Sequence, residues 1–508
     1  MELITGFFWC CAVTAVAFYV HSWRRRARGP DLPGPKGYPL IGTILPRDSP
    51  WIQMTKYSRQ YGPVYGLNIL STRTVVISSV RAARELLETR SSIYSNRIPP
   101  KMAELCGLDE GVLFQTHNGR LRQARRLLAL GLQPRELEAY QTSMQHATIR
   151  FLADLLRDPA NFLSHIHGVP TDVSLEIAYG YTAKGDDDPF VDRITNIARC
   201  FEKSAAFSID EGYVVNWFPF LSKLPSFFPG MSFRKVAQTW RSENMAAFSE
   251  GLERVRSEVT EGVARQSVLS RAFGDHSGLF EEDVMLRCAP QLFTGGSDTT
   301  ISALSTFFLA MMLYPEAQKR AQEELDRVVG PDRLPTFADW PNLPYVTGLL
   351  RETIRWHTPI PCAYRNPVKD DLYEGYFIEK DSTVLVNFWG MLYNEESFPD
   401  PGEFRPERWS DVSLHGDKDV DPFEFAFGFG RRLCPGKYMA QELLFMTIAN
   451  TLATFNIRKC KDVNGVEITP DAKYTNGSIV APLPFDCEVT PRATQTLLLV
   501  EHALNALA

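Results

Sequence analysis

One stretch constrains this chain more than any other: Phe427-Gly428-Phe429-Gly430-Arg431-Arg432-Leu433-Cys434-Pro435-Gly436. It sets a single cysteine in a glycine-rich turn flanked by arginines. A thiolate is a strong electron donor to iron, and backbone N–H groups in such a turn can hydrogen-bond the sulfur and tune its potential. Gly430 and Gly436 carry no Cβ and let the chain come close to a flat ligand. Arg432 puts a positive charge beside the sulfur, suited to a carboxylate on that ligand. A buried free cysteine in a Gly/Arg loop is the plainer reading. Against it, Phe427, Gly430, Arg432, Cys434 and Gly436 at these spacings arise by chance in roughly one window per million at average composition. Cys434 is therefore a candidate metal ligand.

Composition excludes several rival classes. A formal net charge of −6 argues against a nucleic-acid binder, which carries a basic excess. The nine cysteines (Cys10, Cys11, Cys106, Cys200, Cys288, Cys362, Cys434, Cys460 and Cys487) are scattered without a C-x-x-C pair, against a zinc site or a disulfide framework. Neither a G-x-x-x-x-G-K-[ST] loop nor a G-x-G-x-x-G after a strand occurs. If the chain performs redox chemistry, its electrons come from outside.

From Leu3 to Trp23 there is no Asp, Glu, Lys or Arg, and Arg24, Arg25, Arg26 and Arg28 follow. That length of apolar chain suffices to span a bilayer, and the arginines keep the following body cytoplasmic. A cleaved signal peptide is the rival, but the segment before the apolar run is only Met1-Glu2 and lacks a positive charge. We expect a transmembrane signal anchor over 1–23, a basic and proline-rich linker over 24–39, and one domain over 40–508. Alternation from Val64 to Ser79 predicts a hairpin, and helical spacing dominates from Arg81, as in 236–263 and 315–329. Extended patches are expected at 373–378, 384–386 and 479–489. The fold class is thus mainly α with a small β portion.

Within a helical run from Asp283 to Leu313 lies Gly295-Gly296-Ser297-Asp298-Thr299-Thr300. Adjacent glycines inside a helix cost about 1 kcal/mol each against alanine. A groove beside a ligand or a tight helix contact would justify them. Asp298 and Thr299 form an acid-alcohol pair able to pass protons to an oxygen species at a metal. Farther on, Glu352-Thr353-Ile354-Arg355 puts a glutamate and an arginine on one helix face, and Phe404-Arg405-Pro406-Glu407-Arg408-Trp409 supplies further arginines.

Anchor, proline linker, Gly-Gly-x-Asp-Thr, E-x-x-R, P-E-R-W and cysteine loop stand here in the order of the cytochrome P450 family, which this chain resembles over essentially its whole length. The resemblance implies the cytochrome P450 fold, haem b as cofactor, and Cys434 as the axial ligand to its iron. It implies proton delivery by Asp298 and Thr299, and a structural lock of Glu352, Arg355 and Arg408 behind the cysteine loop. For the haem propionates it points to Arg432, to Arg125 in an altered W-x-x-x-R where Leu121 replaces tryptophan, and to Arg365, with Phe427 and Gly436 completing the cofactor-binding set. The activity implied is a monooxygenase that inserts one oxygen atom into a lipophilic small molecule. An NADPH-dependent cytochrome P450 reductase would supply electrons, with cytochrome b5 as a second candidate donor. Arg120, Arg122, Arg126, Arg431 and Lys437 would make a basic docking face for it, with plain solvated surface as the alternative. The chain is similar to fungal members of secondary and xenobiotic metabolism, of the O-methylsterigmatocystin oxidoreductase-like kind, on the endoplasmic reticulum membrane. By position, the substrate would meet segments 101–114 and 205–228, the helix near Phe293, and the turns 359–361 and 476–479. Two rivals remain: a haem-thiolate isomerase or dehydratase needing no reductase, against which the Asp298-Thr299 pair speaks, and a non-catalytic membrane haem protein.

Overall fold

The computed structural model describes residues 29–39, 41–70, 72–185, 187–206, 212–410 and 420–507. The expected anchor, Leu3 to Trp23, and the four arginines behind it lie outside these. Among the described residues no helix is long and apolar enough to cross a membrane.

Helices make up most of the chain, and those used below are numbered among themselves: α1 Pro50–Tyr61, α2 Lys101–Leu105, α3 Gly119–Leu132, α4 Gln141–Arg157, α5 Phe162–Tyr179, α6 Pro189–Ala205, α7 Phe233–Glu261, α8 Glu282–Leu313, α9 Pro315–Val328, α10 Pro344–Trp356 and α11 Lys437–Thr454. Local chemistry starts several of them. Asn118 accepts a hydrogen bond from Leu121 N–H (3.1 Å) ahead of α3, and Asp188 accepts from Phe190 N–H (2.8 Å) ahead of α6, with Pro189 at the first helical position. Tyr314 ends α8 because Pro315 begins the next helix. Packing does the rest. α8 runs through the middle, against α3, α5, α6, α7, α10 and α11. It is apolar nearly all round: Leu304, Phe307, Phe308 and Met311 are fully enclosed. Each such side chain contributes about 1.5–3 kcal/mol of burial, an upper estimate because the unfolded chain is itself partly compact.

The expected hairpin is β1 Val64–Ile69 and β2 Thr72–Ile77, antiparallel with Val64 opposite Ile77. Distant strands complete the sheet. β3 Cys362–Arg365 precedes the small hairpin of β4 Asp371–Tyr373 and β5 Tyr376–Ile378, and β6 Thr383–Asn387 pairs with both β2 (parallel) and β3 (antiparallel). The order is β1-β2-β6-β3. A further pair joins β7 Phe455–Arg458 to β8 Glu488–Pro491.

The patch expected to be extended at 479–489 is a strand only from Glu488. Upstream, Val480 N–H donates to the Pro359 carbonyl (2.8 Å) and the Val480 carbonyl accepts from Ser302 Oγ (2.6 Å). Those groups are thereby unavailable to a ladder, and Pro482 and Pro484 have no N–H to give one.

Candidate active site

The cysteine loop is a turn closed on itself. Cys434 N–H donates to the Phe427 carbonyl (2.8 Å), and Gly428 N–H to that of Phe425 (2.9 Å). Gly428 and Gly430 hold φ of 93° and 57°, left-handed values that tighten the turn. A Cβ on Gly430 would run into the carbonyl oxygen of Leu87, in the wide helical turn Arg84–Thr89. The freedom of Gly430 thus serves a close backbone contact with Leu87. Gly436 does stand at the sulfur: a Cβ there would lie 3.9 Å from Cys434 Sγ, and its own N–H hydrogen-bonds that atom.

The thiol is open on one side yet largely enclosed by protein, and burial raises its pKa. The Gly436 N–H and the Arg125 guanidinium pull the other way. The start of α11, three residues on, adds the positive end of a helix dipole.

Behind the loop the expected lock is assembled. Glu352 is fully buried and bidentate with Arg355, Oε2 accepting from Nε (2.9 Å) and Oε1 from Nη2 (2.8 Å). The Nε of Arg408 (3.3 Å) and the backbone N–H of Arg405 (2.9 Å) also donate to Oε1. The remaining guanidinium hydrogens reach the carbonyls of Leu392, Pro401, Glu403, Pro399 and Asp400. A charged network satisfied to this degree fixes geometry.

On the opposite side, the glycine doublet of α8 realises both justifications, one per residue. A Cβ on Gly296 would come within 2.7 Å of Ser174 Oγ on α5, a tight helix contact. A Cβ on Gly295 meets nothing within 4 Å, so this residue opens a groove. Thr299 Oγ1 donates to the Gly295 carbonyl (2.9 Å) and Thr300 Oγ1 to that of Gly296 (2.7 Å), a back-bonding that loosens the helix here. Burial, reinforced by Glu202 on α6, pushes the Asp298 carboxyl up to about 6. A carboxyl poised there both gives and takes a proton near neutral pH.

Arg365 on β3 and Arg432 of the loop are buried, and with them Arg97, which sequence reasoning missed. Arg432 donates to the carbonyls of Ser95 (2.8 Å), Val112 (2.9 Å) and Gln115, and Arg97 to those of Leu113 (2.9 Å) and Tyr364 (3.3 Å). Arg365 donates to the Tyr364 carbonyl (2.8 Å), and Arg125, on α3, to that of Leu433 (2.9 Å). Among the described residues none of the four forms an ion pair with a carboxylate. Burial, then mutual repulsion, lowers the pKa of Arg432 to about 9 and that of Arg365 well below its usual value. Like charges crowded out of water require an anionic counterpart. Arg97 sits in an unremarkable Asn-Arg-Ile-Pro-Pro run, so only its pairing with Tyr364 across the fold reveals it. Leu121, where tryptophan was expected, is buried, and its side chain offers packing but no hydrogen bond.

Comparison with known proteins decides the family. Residues 32–487 match the family described as Cytochrome P450. The chain belongs to the cytochrome P450 family. Cytochrome P450 monooxygenase 208 of Postia placenta is 35% identical, the alignment covering 96% of this chain and 95% of the relative. Tryptamine 4-monooxygenase of Psilocybe cyanescens is 34% identical over 96% of this chain and 97% of that one. A zebrafish cytochrome P450 solved with progesterone shares the fold at a TM-score of 0.73, with 23% identity over 88% of this chain. The protein is accordingly a P450 monooxygenase of haem b, taking a small-molecule substrate. The residues present fit that cofactor: four arginines without carboxylate partners among the described residues suit its two propionates, and Cys434 suits its iron. Of the expected basic docking face, Arg120 is engaged with Glu110 and Asp283, and Lys437 with Glu424. Arg122, Arg126 and Arg431 remain exposed.

Proposed function

We propose that this P450 is a membrane-anchored enzyme of fungal secondary metabolism that hydroxylates, or oxidises further, a lipophilic small molecule with electrons from a separate NADPH-dependent reductase. The observation that carries the site assignment is the convergence of Cys434, with its N–H donor at Gly436, the buried Arg97, Arg365 and Arg432, and the half-buried Arg125. Bound there, haem supplies the oxygen-activating chemistry. Cys434 holds its iron, and Arg97, Arg125, Arg365 and Arg432 take the propionate charges. Asp298 relays protons through Thr299, while Gly295 leaves the groove into which they are delivered. The lock of Glu352, Arg355 and Arg408 keeps the loop still beneath.

Several features support the finer reading. The absence of a nucleotide-binding motif anywhere in the sequence favours an outside reductase, and the exposed Arg122, Arg126 and Arg431 suit an acidic donor. The apolar run Leu3 to Trp23 supports anchorage in the endoplasmic reticulum membrane with the body in the cytosol. Phe218, Phe220, Phe227 and Phe228 are exposed and add an aromatic face for the bilayer. The fungal relatives favour secondary metabolism, whether or not the O-methylsterigmatocystin-like resemblance extends to substrate. One of them is named for tryptamine, which places aromatic amines in the lipophilic panel to be screened.

The test is the absorption spectrum of the reduced, CO-bound protein. A thiolate-ligated haem band is expected in the parent and its loss in Cys434→Ser; an unchanged band in the variant overturns the ligand assignment. Turnover that proceeds without NADPH and reductase would favour an isomerase or dehydratase instead.

A further inference from the structure

His117 stands just ahead of α3, beside the arginines that face the cofactor site. Its Nε2 meets Arg431 Nη1 at 2.5 Å. A guanidinium only donates, so Nε2 accepts and the ring proton lies on Nδ1. Burial, then the charges of Arg431, Arg432 and Arg122, lowers the pKa of the ring and keeps it in this neutral form. Nδ1 is itself shut off from solvent and has no hydrogen-bond partner among the described residues. The ring therefore carries a buried N–H donor that no other described residue accepts.

Leaving such a donor unmatched is expensive, and its place in the fold shows what would accept from it. The backbone on either side of His117 is tied to the arginine group. The His117 N–H donates to Asn96 Oδ1 (3.2 Å), in the residue before Arg97, and the Gln115 carbonyl, two positions back, accepts from Arg432. A place ringed by guanidinium groups repels a cation and draws an anion. Leu121, four positions on, is buried, and its side chain has no donor to share the task.

We propose that His117 is a further haem-binding residue whose Nδ1–H donates to a propionate, a role that rests on haem b being the cofactor. A neutral donor is thereby added to the cationic Arg97, Arg125, Arg365 and Arg432. Arg431 is the positioning residue: by occupying Nε2 it sets the tautomer and leaves the proton on the inner nitrogen.

The experiment measures how fast the holoenzyme gives up its haem to excess apomyoglobin, with the ferric–ferrous midpoint potential as a second readout. Two substitutions separate the ring nitrogens. His117→Asn puts an amide N–H close to the place of Nδ1 and gives up the Arg431 contact. His117→Gln carries an amide oxygen out to the place of Nε2, keeps that contact and gives up the inner donor. Position 117 is half-buried and lies outside every helix and strand, so these changes spare the fold. Haem should leave His117→Gln and His117→Phe about tenfold faster than the parent, the effect of one hydrogen bond to a charged group, while His117→Asn should stay within about twofold. The midpoint potential of the first two should fall, because a less neutralised propionate favours the ferric state. Haem held equally well by the parent, His117→Gln and His117→Phe overturns the proposal and leaves the cofactor reading standing. A loss in His117→Asn as large as in His117→Gln overturns the assignment to Nδ1. A parent that binds no haem overturns the cofactor reading and His117 with it.

Discussion

Replacing Glu352 by glutamine keeps the shape of the side chain and removes one charge. The carboxylate accepts two hydrogen bonds from Arg355, one from Arg408 and one from the Arg405 backbone, all in a region with no solvent. Breaking a buried ion pair from one side costs about 3–5 kcal/mol, because a charge is left uncompensated. Here two guanidinium groups lose their only carboxylate among the described residues. Carbonyl partners still hold the outer hydrogens of both, which puts the expected loss near the lower end, about 3 kcal/mol, or roughly a hundredfold in the folding equilibrium. Glu250 provides the control. Its bidentate pair with Arg193 has equal geometry (2.7 and 2.6 Å) but is partly exposed, and such pairs contribute about 0–1 kcal/mol. Urea unfolding of each holoenzyme, followed by tryptophan fluorescence and by haem absorbance, measures both. Glu352→Gln should lower the midpoint without changing the slope and release haem earlier, while Glu250→Gln should leave both traces in place. If Glu352→Gln lies within about 1 kcal/mol of the parent and keeps its haem, the lock does not act through buried charge and the reasoning fails.

Asp298 should impose an ionisation near pH 6 on turnover that Asp298→Asn abolishes; its folded pKa exceeds the ordinary 3.8, so the native state also binds this proton more tightly and loses stability as pH rises through that window. A turnover profile identical in the two proteins removes Asp298 from proton delivery. His357 is sealed between Trp389 and Tyr474 with Nδ1 unpartnered, and burial lowers its pKa to about 3. The unfolded chain therefore takes up this proton first, and stability should fall by up to about 1.4 kcal/mol per pH unit below about 6.5, less steeply in His357→Phe. Gly430→Ala should destabilise the cysteine loop beyond the roughly 1–2 kcal/mol of a left-handed alanine, because its Cβ meets Leu87. Gly465→Ala, at φ 80° with open space around it, isolates the conformational part, and equal losses in the two would dismiss the Leu87 contact.

What the sequence determined by itself was whatever is written in consecutive residues. The cysteine loop, the acid-alcohol pair of α8, E-x-x-R and P-E-R-W each carry their chemistry within ten positions, and helical spacing and alternation located α7, α8, α9 and the β1–β2 hairpin. Tertiary structure decided everything that depends on residues meeting from afar. β3 and β7 have weak local signals and exist because β6 and β8 come to pair with them, whereas residues 479–487 read as extended but have key backbone groups taken by Pro359 and Ser302. Arg97 joins Arg365 and Arg432 only when a loop, a strand and the cysteine turn converge. In the same way Gly430 meets Leu87, more than three hundred positions away. The physical reason is common to all of these: period and turn chemistry are local properties of a chain, while burial, mutual charge and hydrogen-bond satisfaction belong to pairs that only the packed fold creates.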